Sequence, residues 1–420
     1  MRAVYKFYIR HNDELDKLFR TSNNLYNQAL YLFRLRLDAD GTWTWYNDMD
    51  KLIKGVTNLD GECNYKLLKS QCSQQILRVL DKNMKSYCKS IKDWKKHPEK
   101  YKGMPQIPHY RKRGGMFNLY YTNQSCSIKD GRIKFAKDLF VDIPQWNKYG
   151  SRLAKFNQVR LIPNDCNIKV EIVYDYHVQH ADVDKSKCAA IDLGLDNLAT
   201  MVTDDGCVIF SGKYLKSYNQ YFNKTFNKTL SHLQSIKDQQ GMKRSTRRII
   251  RMYNKRDRYF EDVFHKVSRQ IVDTLVEKKI GRLVVGYNAG WKQKSDMGKR
   301  NNQKFVQMPF ARLVSCLQYK CEMVGIDFVK HEESYTSKCD ALALEPICKH
   351  EQYLGRRTKR GLFLSSTGKL INADHNGALN IMRKVVGDSY VNGIVNSGHS
   401  LCPIRHRNLF VQITGSMQKV

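Results

Sequence analysis

No Cys-x-x-Cys pair occurs anywhere in this 420-residue chain, although it holds 12 cysteines. The paired knuckles from which tetrahedral zinc ribbons are built are therefore missing. There is also no uninterrupted apolar run of roughly 18 residues, the length that spans a bilayer. The opening MRAVYKFYIRHNDELDK has no apolar signal-peptide core. These absences predict a protein that stays inside the cell, with no membrane partner and with scattered cysteines kept as reduced thiols; with a prokaryotic host assumed, that is a cytoplasmic, nucleoid-associated protein. Acids are scarce as well: 40 Asp and Glu stand against 72 Lys and Arg, so the net charge is 72 − 40 = +32. Solubility needs nothing of that size. Because each neutralised phosphate releases condensed counterions, the surplus predicts a nucleic-acid partner. A membrane-surface protein would concentrate such charge on one amphipathic helix, whereas here it is spread along the chain.

What is present divides by texture. Helical spacing begins at Leu15, Leu18, Phe19, Leu25, Ala29, Leu30 and Phe33, and the helical character continues, increasingly basic, to Lys102. Its end, KSIKDWKKHPEKYKG, sets Trp94 among lysines; the residue reads as packed inward rather than as a base-stacking platform. Short alternating runs follow (NLYYT, GRIKFAKDLFVDIP, NQVRLIP, NIKVEIVYDYHV), with Asp130-Gly131 as a hairpin signal. They predict a small antiparallel barrel or sandwich whose first strand is the N-terminal AVYKFYI, with the helical segment inserted.

From Cys188 to Gly212 two or three strands are joined by tight turns. Residues 211–280 are helical and carry 17 basic against 6 acidic residues, a net of 17 − 6 = +11. Within them KRSTRRIIRMYNKRDR is dense enough to read as phosphate-contacting. A core stripe follows at Phe260, Phe264, Val267, Ile271 and Leu275, and His265 beside it reads as structural or phosphate-facing. Then come the strand RLVVG, a helix opened by Pro309 with core positions Phe310, Leu313, Leu317, Cys321 and Val324, the strand IDFVKHEE, and a helix from about Asp374 to Val386. Three strands, helices, strand, helix, strand, helix is the element order of a ribonuclease-H-like α/β fold. The last thirty residues show no strong period and read as a tail.

Folds of this order cut phosphodiesters with two Mg²⁺ ions held about 3.5 to 4 Å apart by converging carboxylates. Asp192 ends the apolar run of AAIDLGLDNLAT, a costly place for an unpaired charge, with Gly194 close behind. Asp374 opens a helix whose Gly377 and Ala378 permit close packing on a sheet; alone it reads as a favourable charge at the helix dipole, and beside Asp192 as an active-site acid. Asp196 is a weaker candidate.

With AAIDLGLDNLAT, FEDVFHKVSRQIVDTL, WKQKSDMGKRNNQKFVQMPF, EESYTSKCD, GRRTKRGLF and NADHNGALNIMRK in this order, residues 187–386 resemble the TnpB family, insertion-sequence-encoded RNA-guided nucleases related to type V CRISPR effectors and Fanzors. The resemblance implies a wedge-like β-barrel (1–14 and 103–180), a helical recognition lobe (15–102), a RuvC-like nuclease domain (181–336 and 371–390, with the basic helical insertion 211–280), a zinc-ribbon-like insertion (337–370) and a tail (391–420). It further implies a guide RNA and double-stranded target DNA opened beside a short adjacent motif; of the oligomeric states, a monomer is favoured. In that family the middle carboxylate commonly ends the strand matching RLVVG, where this chain has Gly286 and no acid before Asp296. Some members resemble this chain in carrying the Glu ahead of a Thr-Ser-Lys instead. In HEESYTSK that is Glu333, with Glu332 as runner-up, since alternation puts the two on opposite faces.

The implied catalytic and Mg²⁺-binding set is Asp192, Glu333 and Asp374. Cys339, Cys348 and His350 are the remaining candidate zinc ligands, and the preferred reading is a degenerate, metal-free lid. Implied nucleic-acid contacts are Arg247, Arg248, Arg251, Lys292, Gln293, Asn302, Gln303, Lys338, Arg356 and Arg357. The expected function is RNA-guided DNA cleavage; the alternatives are a nuclease-dead guided repressor, suggested by Gly286 and Ala289, and a guide-independent transposase or resolvase.

Overall fold

The structure, a computed structural model, describes residues 1–58, 60–136, 138–153, 155–240, 246–288, 303, 305–397 and 404–406. Two compact units divide the chain, Met1–Tyr176 and His177–Val420.

In the first unit β1 (Arg2–Ile9) leads into α1 (Asp13–Asp40), α2 (Tyr46–Ile53) and α3 (Ser70–Lys96), and only then come β2 (Leu119–Thr122), β3 (Ser127–Lys129), β4 (Arg132–Lys134), β5 (Phe140–Asp142), α4 (Trp146–Leu153), β6 (Phe156–Asn164) and β7 (Asn167–Asp175). Asn12 caps α1 by accepting from the Leu15 N–H at 2.8 Å, and Asp13, Glu14 and Asp16 in the first turn suit the helix dipole. The helices are an insertion: β1 pairs antiparallel with β7, from Arg2 opposite Asp175 to Ile9 opposite Ile168, in a four-stranded sheet ordered β1-β7-β6-β2. Strands β3, β4 and β5 form a separate sheet turned at Asp130-Gly131, both in the left-handed region. The expected barrel therefore takes the form of two open antiparallel sheets, with no closed ring of pairing among the described strands.

The second unit begins with three antiparallel strands, β8 (Asp184–Asp192), β9 (Asn197–Thr203) and β10 (Gly206–Ser211). Then follow α5 (Lys213–Gln240), α6 (Arg247–Glu277), β11 (Ile280–Gly286), α7 (Phe310–Val324), β12 (Asp327–His331), a small sheet of β13 (Arg356–Lys359), β14 (Leu362–Leu364) and β15 (Leu370–Asn372), and α8 (Ala373–Val386). Because β11 pairs parallel with β8 and β12 parallel with β11, the sheet reads β12-β11-β8-β9-β10. Strand alternation divides its two faces. Ala189, Ile191, Leu283 and Val285 pack with the α6 stripe and α7 on one side, while Cys188, Ala190 and Val284 pack with α8 on the other. Burial on both faces explains why β8 and β11 read as nearly continuous apolar runs.

Within the segment expected as a tail, 391–420, the described residues hold two regular elements, and 398–403 and 407–420 lie outside the described residues. Helix α9 (Asp388–Asn396) buries Val391, Ile394 and Val395, and β16 (Ile404–His406) pairs parallel with β10. Nine and three residues are too short to show a clear period. No helix among the described residues is long and apolar enough to cross a membrane.

Candidate functional site

Asp192 is the last residue of β8, and the chain around it is shaped for close approach. A β-carbon on Gly377, in the first turns of α8, would lie 2.8 Å from Asp192 Oδ2, so only glycine lets the helix come this near. The first turn of the same helix holds Asp374, whose Oδ2 accepts a 2.8 Å hydrogen bond from the Asn197 side-chain amide of β9. Asn372 caps α8 through its Oδ1, which accepts from the N–H groups of Asp374 and His375.

Glu333 arrives from the neighbouring edge. The parallel register sets Gly286 beside His331, and the Tyr287 N–H continues the ladder to the His331 carbonyl at 2.9 Å. Two residues further on, the Glu333 N–H donates to Asn288 Oδ1 at 3.0 Å, which turns its side chain back across the end of β11. A β-carbon at residue 286 would lie 2.6 Å from Glu333 Oε2 and 2.5 Å from Ile381 Cδ1. The glycine where an acid is absent is thus the space that the Glu333 carboxylate fills.

Three acids from distant parts of the chain therefore come within electrostatic reach of one another beyond the ends of β8 and β12. Burial, then the charges of Asp374 and Glu333, push the Asp192 carboxyl well above the usual carboxylate range, and the Arg357 guanidinium opposes the shift. Burial, with a smaller push from Glu332, raises Glu333 to about 7. Its Oε2 is buried without a hydrogen-bond partner. Glu332 is placed differently: it accepts from the Ser334 hydroxyl and pairs with Lys384 at 3.2 Å. Ser334 and Lys384 hold it below the usual range despite partial burial. Of the two paired acids, Glu333 joins the cluster and Glu332 does not.

Among the described residues no three His, Cys, Asp or Glu side chains stand as a ready ligand shell. The chemistry of the acid trio nonetheless suits a hard divalent cation: all donors are carboxylate oxygens, one is an orphaned buried atom, and the like charges are only partly offset by Arg357 and Lys384.

The zinc candidates are not drawn into one shell. Cys348 Sγ lies 3.4 Å from His350 Nε2, while buried Cys339 is directed to the Cys348 carbonyl at 3.7 Å. Two buried carboxylates organise this insertion. Asp340 Oδ2 accepts from the Ser365 hydroxyl at 2.8 Å and the Ser366 N–H at 2.7 Å; Glu345 accepts from the N–H groups of Asp340 at 2.6 Å and Leu354 at 2.9 Å. Asn376 and Asn380 of α8 then bind the Cys339 carbonyl at 2.8 and 2.7 Å.

Arg247, Arg248, Arg251, Gln303, Lys338, Arg356 and Arg357 are exposed, with Lys338 over the Tyr353 ring. Lys292, Gln293 and Asn302 lie outside the described residues, as does Ala289. His265 sits at the α6–α7 seam, where Tyr319 Oη is 3.2 Å from its ring and Lys320 donates to its carbonyl. Sequence reasoning missed Asn197 and Asn288, which no local pattern marks. It read the segment to Lys102 as increasingly basic but did not resolve the rail on α3: Arg78, Lys82, Lys85, Lys89, Lys92 and Lys96 are all exposed at alternating spacings of four and three, opposite the buried Cys72, Ile76, Leu77, Leu80 and Met84. That spacing was available as a signal.

Fold and site define a mixed α/β protein with several sheets and a cluster of carboxylates at strand ends. Two family models match in chain order: OrfB_IS605, "probable transposase", over residues 171–292, and the Cas12f1-like TNB domain over residues 310–381. Among curated proteins, the TnpB-like protein ORF457 of Acidianus two-tailed virus is 24% identical over 218 residues, 50% of this chain and 44% of its own length. The CRISPR-associated endodeoxyribonuclease Cas12f2 of a Micrarchaeota archaeon (strain CG1_02_47_40) is 26% identical over 235 residues, 52% of this chain and 42% of its own. The resemblance to the TnpB family is thereby shown, and the matched region spans less than half the length of either curated relative. A solved Cas12f1–sgRNA–target DNA complex aligns at TM-score 0.48 with 14% identity, over 88% of this chain and 83% of that one. The mini-RNA-guided endonuclease CRISPR-Cas_phi3 aligns at 0.46 with 10% identity, over 94% and 93%.

Proposed function

We propose that this chain is an RNA-guided DNA endonuclease whose second unit is a ribonuclease-H-like, RuvC-type nuclease domain acting through Asp192, Glu333 and Asp374. The observation that carries this reading is the convergence of those three acids beyond the ends of β8 and β12, with Gly286 vacated for Glu333. The sheet order, three antiparallel strands extended by parallel β11 and β12 on one side and by parallel β16 on the other, supports the fold assignment. The names of the relatives support the activity class.

Asp192, Glu333 and Asp374 would hold Mg²⁺, which when bound supplies an activated water and charge for the leaving oxygen. The chain's own residues do the positioning. Asn197 orients Asp374, Asn288 fixes the backbone of Glu333, and Gly377 and Gly286 bring helix and strand ends close enough for the carboxylates to face one space. Arg357 offsets part of the acids' charge at Asp192, as a strand phosphate must be offset when it enters.

Guide RNA and double-stranded target DNA are the proposed partners, and cleavage beside a short adjacent motif is the proposed outcome. Sequencing the RNA that copurifies from the native locus tests guidance: one discrete species is expected, and its absence contradicts the reading. The α3 rail spans roughly 27 Å at the helical rise and suits a phosphate backbone. Replacing Lys82, Lys89, Lys92 and Lys96 by Gln is expected to flatten the log–log salt dependence of nucleic-acid binding by about 3 units, with cleavage at saturation retained. Equilibrium titrations at several salt concentrations measure that slope.

A further inference from the structure

The turn between β13 and β14 is tied to the start of α8 and to the loop after β8. Its Gly361 carbonyl accepts from the Ala373 N–H at 3.0 Å, which ties the turn to the first residue of α8, beside Asp374. From the same turn Arg360 reaches Asp196 Oδ2 at 3.0 Å, four residues beyond Asp192. Asp196 is itself anchored: its carbonyl accepts from the Gly212 N–H at 2.9 Å, and its Oδ1 accepts from Lys216 Nζ at 2.6 Å. Arg357 of the same hairpin faces Asp192 electrostatically. A basic hairpin thus presents its guanidinium groups where a phosphodiester would enter, and one of them is already occupied by a carboxylate.

Resting on the nuclease reading above, we propose that Arg360 is a phosphate ligand for the DNA strand entering at the acid cluster, and that Asp196 is a built-in stand-in which the strand displaces. The physical requirement is a bond firm enough to define the guanidinium's position and weak enough to exchange. The Arg360 side chain is 71% exposed and that of Asp196 33%, the range in which an ion pair contributes little to stability and is screened by salt. A backbone phosphodiester offers two non-bridging oxygens that share one negative charge, as a carboxylate does, so the guanidinium can pass from one to the other at little cost and the rest of the strand's contacts tip the balance. Asp196 keeps Lys216 after Arg360 leaves and is not stranded unpaired.

The test is fluorescence anisotropy of a labelled oligothymidylate binding the purified chain, with its copurified RNA, in chelator. Cleavage plays no part in this readout, so failure of the parent chain to cut a guide-matched duplex in Mg²⁺, measured separately, would disprove the nuclease reading and leave the exchange still measurable. Asp196→Asn is expected to tighten binding roughly two- to fivefold, the range an exposed ion pair commands. The gain should vanish in the Arg360→Ala background and persist in the Lys216→Met background. Asp182→Asn, which frees Lys279 from a similar 2.7 Å pair elsewhere in the unit, is expected to change nothing and controls for net charge. Asp196→Ala serves if the Asn variant folds poorly. An unchanged affinity on removing the Asp196 carboxylate, or an equal gain with Arg360 absent, overturns the proposal.

Discussion

Gly286→Ala is expected to lower DNA cleavage about a hundredfold while changing stability by only about 1 kcal/mol. In most buried strands the added methyl would be neutral or helpful, since glycine carries an entropic cost there. Here the new β-carbon would sit 2.6 Å from Glu333 Oε2 and 2.5 Å from Ile381 Cδ1. Both atoms are the ends of side chains and can move, so the fold survives. The carboxylate has been pushed from its place, and a displacement of about 1 Å in a catalytic group costs roughly two orders of magnitude. Combining Gly286→Ala with Glu333→Ala should be less than additive in stability, because the second change removes one of the two clashes. Single-turnover cleavage and thermal unfolding of the four proteins measure both effects.

Glu333→Gln is expected to act in opposite directions on activity and stability. Cleavage should fall about a thousandfold or more, since a lost metal ligand removes several kcal/mol from the transition state. In chelator at pH 8, however, the variant should be more stable than the parent, on the order of 2 kcal/mol. Burial raises the folded carboxyl to about 7, above its ordinary value, so the folded state holds this proton more tightly than the unfolded chain does. Stability therefore declines as pH rises from the unfolded toward the folded value, and the full penalty applies above it. The amide carries no charge and escapes that decline, and it also relieves the repulsion on Asp192. Below about pH 4 the two proteins should converge. Added Mg²⁺ should restore the parent's stability at pH 8 and leave the variant nearly unchanged.

Features carried by local patterns were readable from the chain. The apolar run ending at Asp192, the stripe from Phe260 to Leu275, the hairpin turns and the helix opening at Asp374 all appear where periodicity and turn chemistry placed them. Alternation along IDFVKHEE left Glu332 and Glu333 both eligible, because strand phase says which faces differ but not which one meets the acids. That choice depends on Lys384 and Ser334, which engage Glu332, and on the empty space above Gly286. Contacts across long separations were invisible for the same reason. Asn197 to Asp374 spans 177 residues, and Arg360 to Asp196 joins two loops with no shared pattern. Whether the strands of the first unit close into a barrel was not readable, because closure is a property of pairing and not of any one strand's period; the short α9 and the three-residue β16 were missed because each is too brief for a period to declare itself.

The central claim, that the middle acid of the site has moved to Glu333, is tested most directly by cleavage of a guide-matched DNA duplex in Mg²⁺ by the parent chain, Glu332→Ala and Glu333→Ala side by side. The parent and Glu332→Ala are expected to cut, and Glu333→Ala to bind the target without cutting. Undiminished cleavage by Glu333→Ala, or no cleavage by the parent, would contradict the account.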